Sequence, residues 1–148
     1  MKKKILITGG SGLLAINWAL SIRNNYTVTL LLHHKKISLS GVDTDVASLD
    51  SLDECLSVLV KHQPDIVVHT VGLTNIEECE SNPDLAQEVN VDLAKNIAIA
   101  CSDQGIKLVH ISTDNLFSGD QELATEESIT NPVNIYGETK LLGEQQVL

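Results

Sequence analysis

The stretch KILITGGSGLLA, residues 4–15, decides how the rest of the chain is interpreted. A short apolar run leads into three glycines, and a second apolar run begins directly after them. This pattern is typical of a buried strand, a tight turn and a helix. Gly10-x-Gly12-x-x-Ala15 fits the fingerprint of a dinucleotide-binding turn, and Gly9-x-x-Gly12-x-x-Ala15 fits a looser variant of it. Either spacing would let the backbone approach a pyrophosphate, which the N–H groups at the start of the helix would bind.

The rest of the chain alternates between strand and helix patterns. Apolar runs predict strands over 4–8, 26–32, 65–71 and 106–112, with a weaker strand over 42–47. Capping residues and spacing predict helices over 12–24, from the Ser51–Glu54 capping box to before Pro64, from Asn82-Pro83 to Gly105, and from near Tyr136 onward. Such alternation predicts an α/β fold, a Rossmann-type doubly wound parallel sheet with helices on both faces.

The third predicted helix has a regular apolar pattern, and Asn82 is expected to cap its start. Helical spacing predicts that its inner face consists of Leu85, Val89, Leu93, Ile97 and Ala100. No linker or repeat interrupts residues 1–148, so we expect a single cofactor-binding domain. The last helix lacks a C-cap signal, so we expect the sequence to be the front of a longer chain.

Composition argues against several classes of protein. The 148 residues carry a net charge of −10, and no basic cluster is larger than the three lysines at 2–4, so we expect no nucleic-acid or membrane partner. No apolar run approaches the roughly 18 residues of a membrane span, and no signal-peptide pattern is found. Cys55, Cys79 and Cys101 are 24 and 22 residues apart, which fits neither a zinc site nor a disulfide framework. We therefore expect reduced thiols, no metal and a cytoplasmic location.

The segment LLHHKK, residues 31–36, bears on the choice of nucleotide. An acidic residue about 20 positions after the glycine turn usually binds the ribose 2′-hydroxyl of NAD, and this segment contains none. His33, His34, Lys35 and Lys36 would instead suit a 2′-phosphate, so we expect NADP(H) to be preferred over NAD(H). The alternative is a solvated loop.

Candidate proton-transfer groups occur in YGETK, residues 136–140. Tyr136 and Lys140 are four residues apart, so they share one face of the predicted helix. A neighbouring ammonium stabilises a phenolate, so this pair could act as general acid or base on a carbonyl substrate. Ser112 and Thr113 leave the end of the fifth strand, where ligand sites of open α/β sheets lie. One of these hydroxyls could hold a substrate oxygen, or the segment could simply cap a turn.

The glycine turn, the hydroxyl and the Tyr/Lys pair, in this order, resemble the extended short-chain dehydrogenases/reductases. Within them, three segments resemble the dTDP-4-dehydrorhamnose reductase group: residues 64–98, ISTDNLFSG at 111–119, and NPVNIYGETKLLGEQQVL at 131–148. Members of the group are about twice as long as this chain. The resemblance therefore implies the cofactor-binding part of such an enzyme, without its substrate-binding lobe.

The resemblance also implies roles for individual residues. Thr113 would be the catalytic hydroxyl, Tyr136 the acid/base, and Lys140 the lysine that binds the ribose and stabilises the phenolate. The implied cofactor contacts are the pyrophosphate turn (Gly9, Ser11, Gly12, Leu13 and Leu14), the adenine pair (Asp45 and Val46) and the segment beneath the cofactor (Thr70, Val71 and Gly72). The sequence departs from the group at Asn115, where tyrosine is usual, and at Ser118, where aspartate is usual.

The implied activity is reduction of a 4-keto nucleotide sugar by NADP(H). An epimerase or dehydratase of the same family would use the same three catalytic residues, with the hydride returned to the sugar. The sequence also resembles the NADP-binding regulatory β subunit of methionine adenosyltransferase, in which the nucleotide would be structural. A homodimer is expected only by analogy with family members.

Overall fold

The structure, a computed structural model, describes residues 2–120 and 122–148. Contacts divide the chain into two compact units. The first comprises Met1–Val71 and Asn96–Ile111, and the second comprises Gly72–Lys95 and Ser112–Leu148.

The first unit contains a five-stranded parallel sheet. The strands are β1 (Lys4–Thr8), β2 (Thr27–Leu32), β3 (Asp43–Val46), β4 (Ile66–His69) and β5 (Lys107–His110). Their order is β3-β2-β1-β4-β5, and each neighbouring pair is parallel. The chain runs outward from β1 to β3, then returns to the other side of β1 for β4 and β5. This reversal beside β1 is where ligands bind in open α/β sheets, and the order confirms the predicted Rossmann-type fold.

Apolar strand residues and two helices build the core of the first unit. Helix α1 (Leu13–Ile22) connects β1 to β2, and α2 (Leu52–His62) connects β3 to β4. The predicted capping box of α2 is confirmed, because Ser51 Oγ accepts from Glu54 N at 3.3 Å and Glu54 Oε2 accepts from Ser51 N at 3.0 Å. The core residues Leu6, Ile7, Ala15, Ala19, Leu30, Val67 and Ile97 are fully buried.

The predicted long helix is present but is interrupted by a π-helical turn. It comprises α4 (Pro83–Gln87), the π turn Glu88–Asp92 and α5 (Leu93–Asp103). Of the predicted inner face, Leu93, Ile97 and Ala100 are buried, whereas Val89 is half-buried and Leu85 is exposed. The π turn fits more residues into a turn than an α-helix does, and so changes which residues face inward. Ala86, Asn90 and Val91 are buried instead.

Two further local predictions need correction. Asn82 does not cap the helix with its side chain; instead, its Nδ2 donates to Ser81 Oγ at 3.1 Å. Helix α3 (Ile76–Ser81) was not predicted; it begins where Asn75 Oδ1 accepts from Glu78 N at 3.1 Å. Its acid-rich sequence has no helical apolar repeat, so the Asn75 cap was the available signal.

The second unit is helical. It contains α3, α4, the π turn, the 3₁₀ turn Asp114–Leu116 and helix α6 (Ile135–Val147), and α6 packs against the other four elements. Two glycines allow this packing, because a Cβ at Gly137 would collide with Asn115 O and a Cβ at Gly143 with Asn90 O. Among the residues described, no helix is long and apolar enough to cross a membrane.

Candidate functional site

The glycine turn after β1 has little room for side chains. Gly9 has a φ of +65°, and a Cβ there would lie 2.9 Å from Thr70 Oγ1. A Cβ at Gly10 would lie 2.8 Å from Leu30 Cβ. The turn is closed by Gly12 N, which donates to Gly9 O at 2.8 Å. Gly9 and Gly10, which begin the two spacings left open by the sequence, therefore both lack room for a Cβ.

Helix α1 begins directly at this turn. Gly12 is its N-cap residue, and no side-chain cap is found there among the described residues. The first amides of a helix have no partner within the helix, and together with the helix dipole they favour an anion. Leu13 and Leu14, predicted at this turn, are exposed, and Ser11 is half-buried. The turn and the helix start therefore suit a pyrophosphate.

At the other end of the expected nucleotide, Asp45 already has partners. Its Oδ2 accepts from Lys61 Nζ at 2.6 Å and lies 2.7 Å from His62 Nε2. The hydrogen bond from Lys61 lowers the pKa of Asp45, partial burial opposes this, and His62 lowers it further. Neither partner was predicted from the sequence. Both occupy the last turn of α2, where the helix dipole stabilises basic side chains. The neighbouring Val46 is 49% exposed and offers an apolar surface.

The segment after β2 carries the expected basic residues. His33, His34, Lys35 and Lys36 are all exposed, and the two imidazole rings have centroids 3.6 Å apart. They follow the carboxyl end of β2, the edge where ligands of such sheets bind. Their placement is compatible with contact to a 2′-phosphate.

The segment after β4 is fixed by a threonine on β1. Thr70 Oγ1 donates to Thr8 O at 2.7 Å, and Thr70 N donates to Thr8 Oγ1 at 3.3 Å. Thr8 Oγ1 also lies 2.9 Å from His69 Nδ1, and the His69 ring stacks on His110 with centroids 5.5 Å apart. These bonds hold Thr70 against the Gly9 backbone, with Val71 next along the chain. This role of Thr8 was not predicted, although a polar residue at the end of an apolar strand and directly before the glycines indicates a functional position.

In the second unit, a buried asparagine connects a loop to α6. Asn90 is 1% exposed, its Oδ1 accepts from Leu73 N at 2.8 Å, and its Nδ2 donates to Leu73 O at 3.1 Å. The same Nδ2 donates to Thr139 Oγ1 at 3.0 Å, and the Thr139 hydroxyl donates to Ile135 O at 2.8 Å. The backbone following Gly72 is thereby tied to the helix that carries Tyr136 and Lys140.

Thr113 is the N-cap of the 3₁₀ turn. Its Oγ1 accepts from Asn115 N and from Asn115 Nδ2, both at 3.2 Å, as the turn-cap alternative requires. The Thr113 hydroxyl itself donates to Asp114 Oδ1 at 3.5 Å, so a substrate oxygen at Thr113 would replace this long hydrogen bond. The turn that it caps packs against α6.

Tyr136 and Lys140 occupy successive turns of α6. Asn134 caps this helix by accepting from Gly137 N at 2.8 Å, and Tyr136 lies half-buried in the first turn. Lys140 is 4% exposed. Burial lowers its pKa because the charged form loses hydration, and the charge of Glu144 partly offsets this effect. The structure thus places the three predicted catalytic residues in the same unit.

Comparison with known proteins extends these observations. Residues 2–148 match the family described as the RmlD substrate binding domain. A dTDP-4-keto-6-deoxy-D-glucose reductase of Streptomyces niveus is 32% identical, covering 100% of this chain and 48% of the relative. The methionine adenosyltransferase 2 subunit beta of Bos taurus is 33% identical, covering 99% of this chain and 43% of the relative.

Among solved structures, dTDP-4-dehydrorhamnose reductase from Bacillus anthracis, in complex with NADP, superposes with a TM-score of 0.79 at 29% identity. The match covers 99% of this chain and 49% of that chain. The chain spans about half the length of the curated relatives it matches. The fold, the glycine turn and a match that extends over residues 2–148 lead to one conclusion: the chain belongs to the RmlD, or dTDP-4-dehydrorhamnose reductase, family.

Proposed function

We propose that the chain binds NADP(H) and supplies the catalytic groups for reduction of a 4-keto nucleotide sugar. The observation that carries this proposal is the buried Lys140 one helical turn after Tyr136. Burial of the Lys140 ammonium lowers its pKa, and titratable groups with shifted pKa values are more frequent at functional sites. The relative from Streptomyces niveus bears the name of a reductase of this kind.

The residues present fit the cofactor. The Gly9–Gly12 turn and the start of α1 would hold the pyrophosphate, as the close approach of the turn to Thr70 and the uncapped helix start support. Val46 would contact adenine with its exposed apolar side chain. Asp45 would also contact the adenine, to the extent that its bonds to Lys61 and His62 allow. Beneath the cofactor would lie Thr70, Val71 and Gly72.

A preference for NADP(H) is supported by charge. Lys35 follows β2 and is exposed among other basic side chains, which suits a 2′-phosphate, and residues 31–36 include no carboxylate for a 2′-hydroxyl. The related structure from Bacillus anthracis contains NADP.

When bound, the nicotinamide supplies the hydride for the ketone carbon. Thr113 would donate its hydroxyl proton in a hydrogen bond to the keto oxygen, in place of its long bond to Asp114 Oδ1, while its own oxygen accepts from Asn115. Tyr136 would transfer its phenolic proton to the alkoxide oxygen that forms. The Lys140 ammonium would bind ribose hydroxyls and stabilise the resulting phenolate.

The test is a titration with NADPH and with NADH, followed by nicotinamide fluorescence, and then an assay of NADPH oxidation with a dTDP-4-keto-6-deoxy sugar. Because these 148 residues span about half of the relatives and weak turnover is expected of them alone, the oxidation assay uses a chain of the relatives' length. We expect NADPH to bind more tightly than NADH. Tyr136→Phe should lower turnover by at least about 100-fold with little change in NADPH affinity, because it removes only the proton donor. Tyr26→Phe, at the other tyrosine of the chain, is the matched control. Equal loss in both variants would contradict the role of Tyr136.

A second candidate function is regulatory. The 33% identity to methionine adenosyltransferase 2 subunit beta covers 99% of this chain, so a nucleotide-binding subunit without turnover is a specific alternative. Tight NADPH binding without reduction, together with co-elution with a methionine adenosyltransferase catalytic subunit, would favour it. Turnover that depends on Tyr136 would exclude it as the sole function.

A further inference from the structure

Helix α6 carries a third ionisable residue on the face formed by Tyr136 and Lys140. Glu144 follows Lys140 by four residues, as Lys140 follows Tyr136, so the three side chains are stacked along the helix. Glu144 is half-buried, and its Oε2 accepts from Ser112 Oγ at 2.8 Å. Ser112 directly precedes Thr113. The hydrogen bond from Ser112 to Glu144 thus connects the segment that carries Thr113 to the helix that carries Lys140.

The stack has an electrostatic consequence. Lys140 is almost completely buried, and burial by itself favours the neutral amine. The charge of Glu144 acts on Lys140 in the opposite direction. A carboxylate that is held in one place by a hydroxyl acts more effectively on a neighbouring charge than a mobile one, because less side-chain entropy is lost when it faces that charge.

Other acidic groups on α6 and on the elements packed against it differ from Glu144 in exposure. Glu80 Oε1 accepts from Ile135 N at 2.8 Å, at the start of α6 and away from Lys140 along the helix. These other acidic side chains are all exposed: Glu77, Glu78 and Glu80 on α3, Asp84 on α4, Glu88 and Asp92 in the π turn, Asp114 in the 3₁₀ turn, and Glu138 on α6 itself. Exposed charges are screened by water and salt, whereas a half-buried one is screened less.

We propose that Glu144, held by Ser112, is a positioning residue that keeps the buried Lys140 ammonium charged. Lys140 can then serve as the cation that the cofactor ribose and the Tyr136 phenolate require. This use of the Lys140 charge rests on the proposed function, but the charge state of Lys140 can be measured without any cofactor.

The experiment follows the titration of Lys140 directly. The chain is labelled with ¹³C at the lysine Cε, its NMR signals are recorded against pH without cofactor, and the Lys140 signal is assigned with Lys140→Arg. Three variants are compared with the unchanged chain. Glu144→Gln removes the charge but retains an acceptor for Ser112, Ser112→Ala removes the anchor but retains the charge, and Glu138→Gln removes an exposed charge from the same helix.

We expect the Lys140 midpoint to move to lower pH in Glu144→Gln, to move less in Ser112→Ala, and to stay unchanged in Glu138→Gln. At a pH between the midpoints of the unchanged chain and Glu144→Gln, the Kd for NADPH should rise about three- to tenfold in that variant and not in Glu138→Gln. A midpoint in Glu144→Gln equal to that of the Glu138→Gln control would overturn the proposal. If Glu144→Gln does not fold, a Lys140 midpoint in Ser112→Ala equal to that of Glu138→Gln would overturn the proposal instead.

The two proposals fail separately. If the unchanged chain binds no NADPH, the proposed function is wrong, but the Lys140 midpoints still decide whether Glu144 maintains the charge. If NADPH binds and the midpoints do not differ, the role of Glu144 is wrong and the proposed function stands.

Discussion

Lys140 lies one helical turn after Tyr136, and only 4% of its surface is exposed. Burial of its aliphatic stem stabilises the folded chain. Its ammonium loses hydration, however, so the charge lowers the stability of the folded chain. The same charge is what the proposed chemistry uses. Proteins commonly give up stability at functional sites in this way.

Replacement of this lysine should therefore stabilise the chain in the absence of cofactor. Burial lowers the pKa of Lys140 in the folded chain, so the unfolded chain binds more protons between that value and the ordinary lysine pKa of about 10.4. The free energy of unfolding therefore rises with pH across this window. Below the window, the folded chain carries the full cost of removing the Lys140 ammonium from water. Lys140→Met, which keeps the length and apolar volume, should raise the free energy of unfolding near pH 7 by about 1 kcal/mol, with a smaller gain near pH 10.

Urea unfolding at both pH values measures this effect. Lys95→Met, at an exposed lysine of α5, is the control and should change stability little at either pH. A Lys140→Met chain less stable than the unchanged chain at both values would show that lost contacts outweigh desolvation.

At the level of elements, the sequence predicted the sheet better than the helices. Each predicted strand is present, including the weak one over 42–47. The four apolar runs were clear because a strand of a parallel sheet needs little more than apolar β-forming residues. The spacing Leu85-Val89-Leu93 assumed an uninterrupted α-helix, and the π turn at Glu88–Asp92 changed the buried face. Such a turn is set by packing against another element, for which a single segment of sequence carries no signal.

The same limit applies to the candidate site. The glycine turn was visible because a phosphate turn requires glycines at fixed spacing. The role of Asn90 was not predicted, since its three hydrogen bonds go to residues distant in sequence. The partners of Asp45 were missed for the same reason. Local chemistry was predictable, whereas long-range polar pairing was not.

Close packing of α6 on the π turn gives a prediction at this scale. Replacing a glycine with alanine inside an exposed helix usually stabilises it by about 1 kcal/mol. At Gly143 the sign should be reversed, because the new Cβ would collide with the backbone oxygen of Asn90. We expect Gly143→Ala to lower the free energy of unfolding by about 2 kcal/mol, the usual cost of overpacking.

Thermal or urea unfolding of Gly143→Ala checks this, with Gln145→Ala as an exposed control on the same helix. The control should stay within about 0.5 kcal/mol of the unchanged chain. A stabilised Gly143→Ala chain would mean that α6 does not approach the π turn closely.

At the scale of the whole molecule, the proposed cofactor should act as a folding ligand. A ligand that binds only the folded chain stabilises it by about 2.7 kcal/mol at 100 times its Kd. For a chain of 148 residues this corresponds to a rise in Tm of about 5–10 °C. Such a rise would show that NADPH binds the folded chain in preference to the unfolded chain.

Two glycine variants separate binding from folding. Gly12 has an ordinary φ of −75°, and a Cβ there would lie 3.1 Å from Gly9 O. Gly12→Ala should therefore fold with a modest loss of Tm, while its methyl group takes up space in the turn that a pyrophosphate would occupy. Gly105 has a φ of +65° and no atom within 4 Å of an added Cβ, so Gly105→Ala should lose stability through backbone strain alone. We expect Gly12→Ala to lose most of the NADPH-induced rise in Tm, and Gly105→Ala to retain it from a lower starting Tm. Equal rises in the two variants would mean that NADPH, if it binds, does not use the turn between β1 and α1.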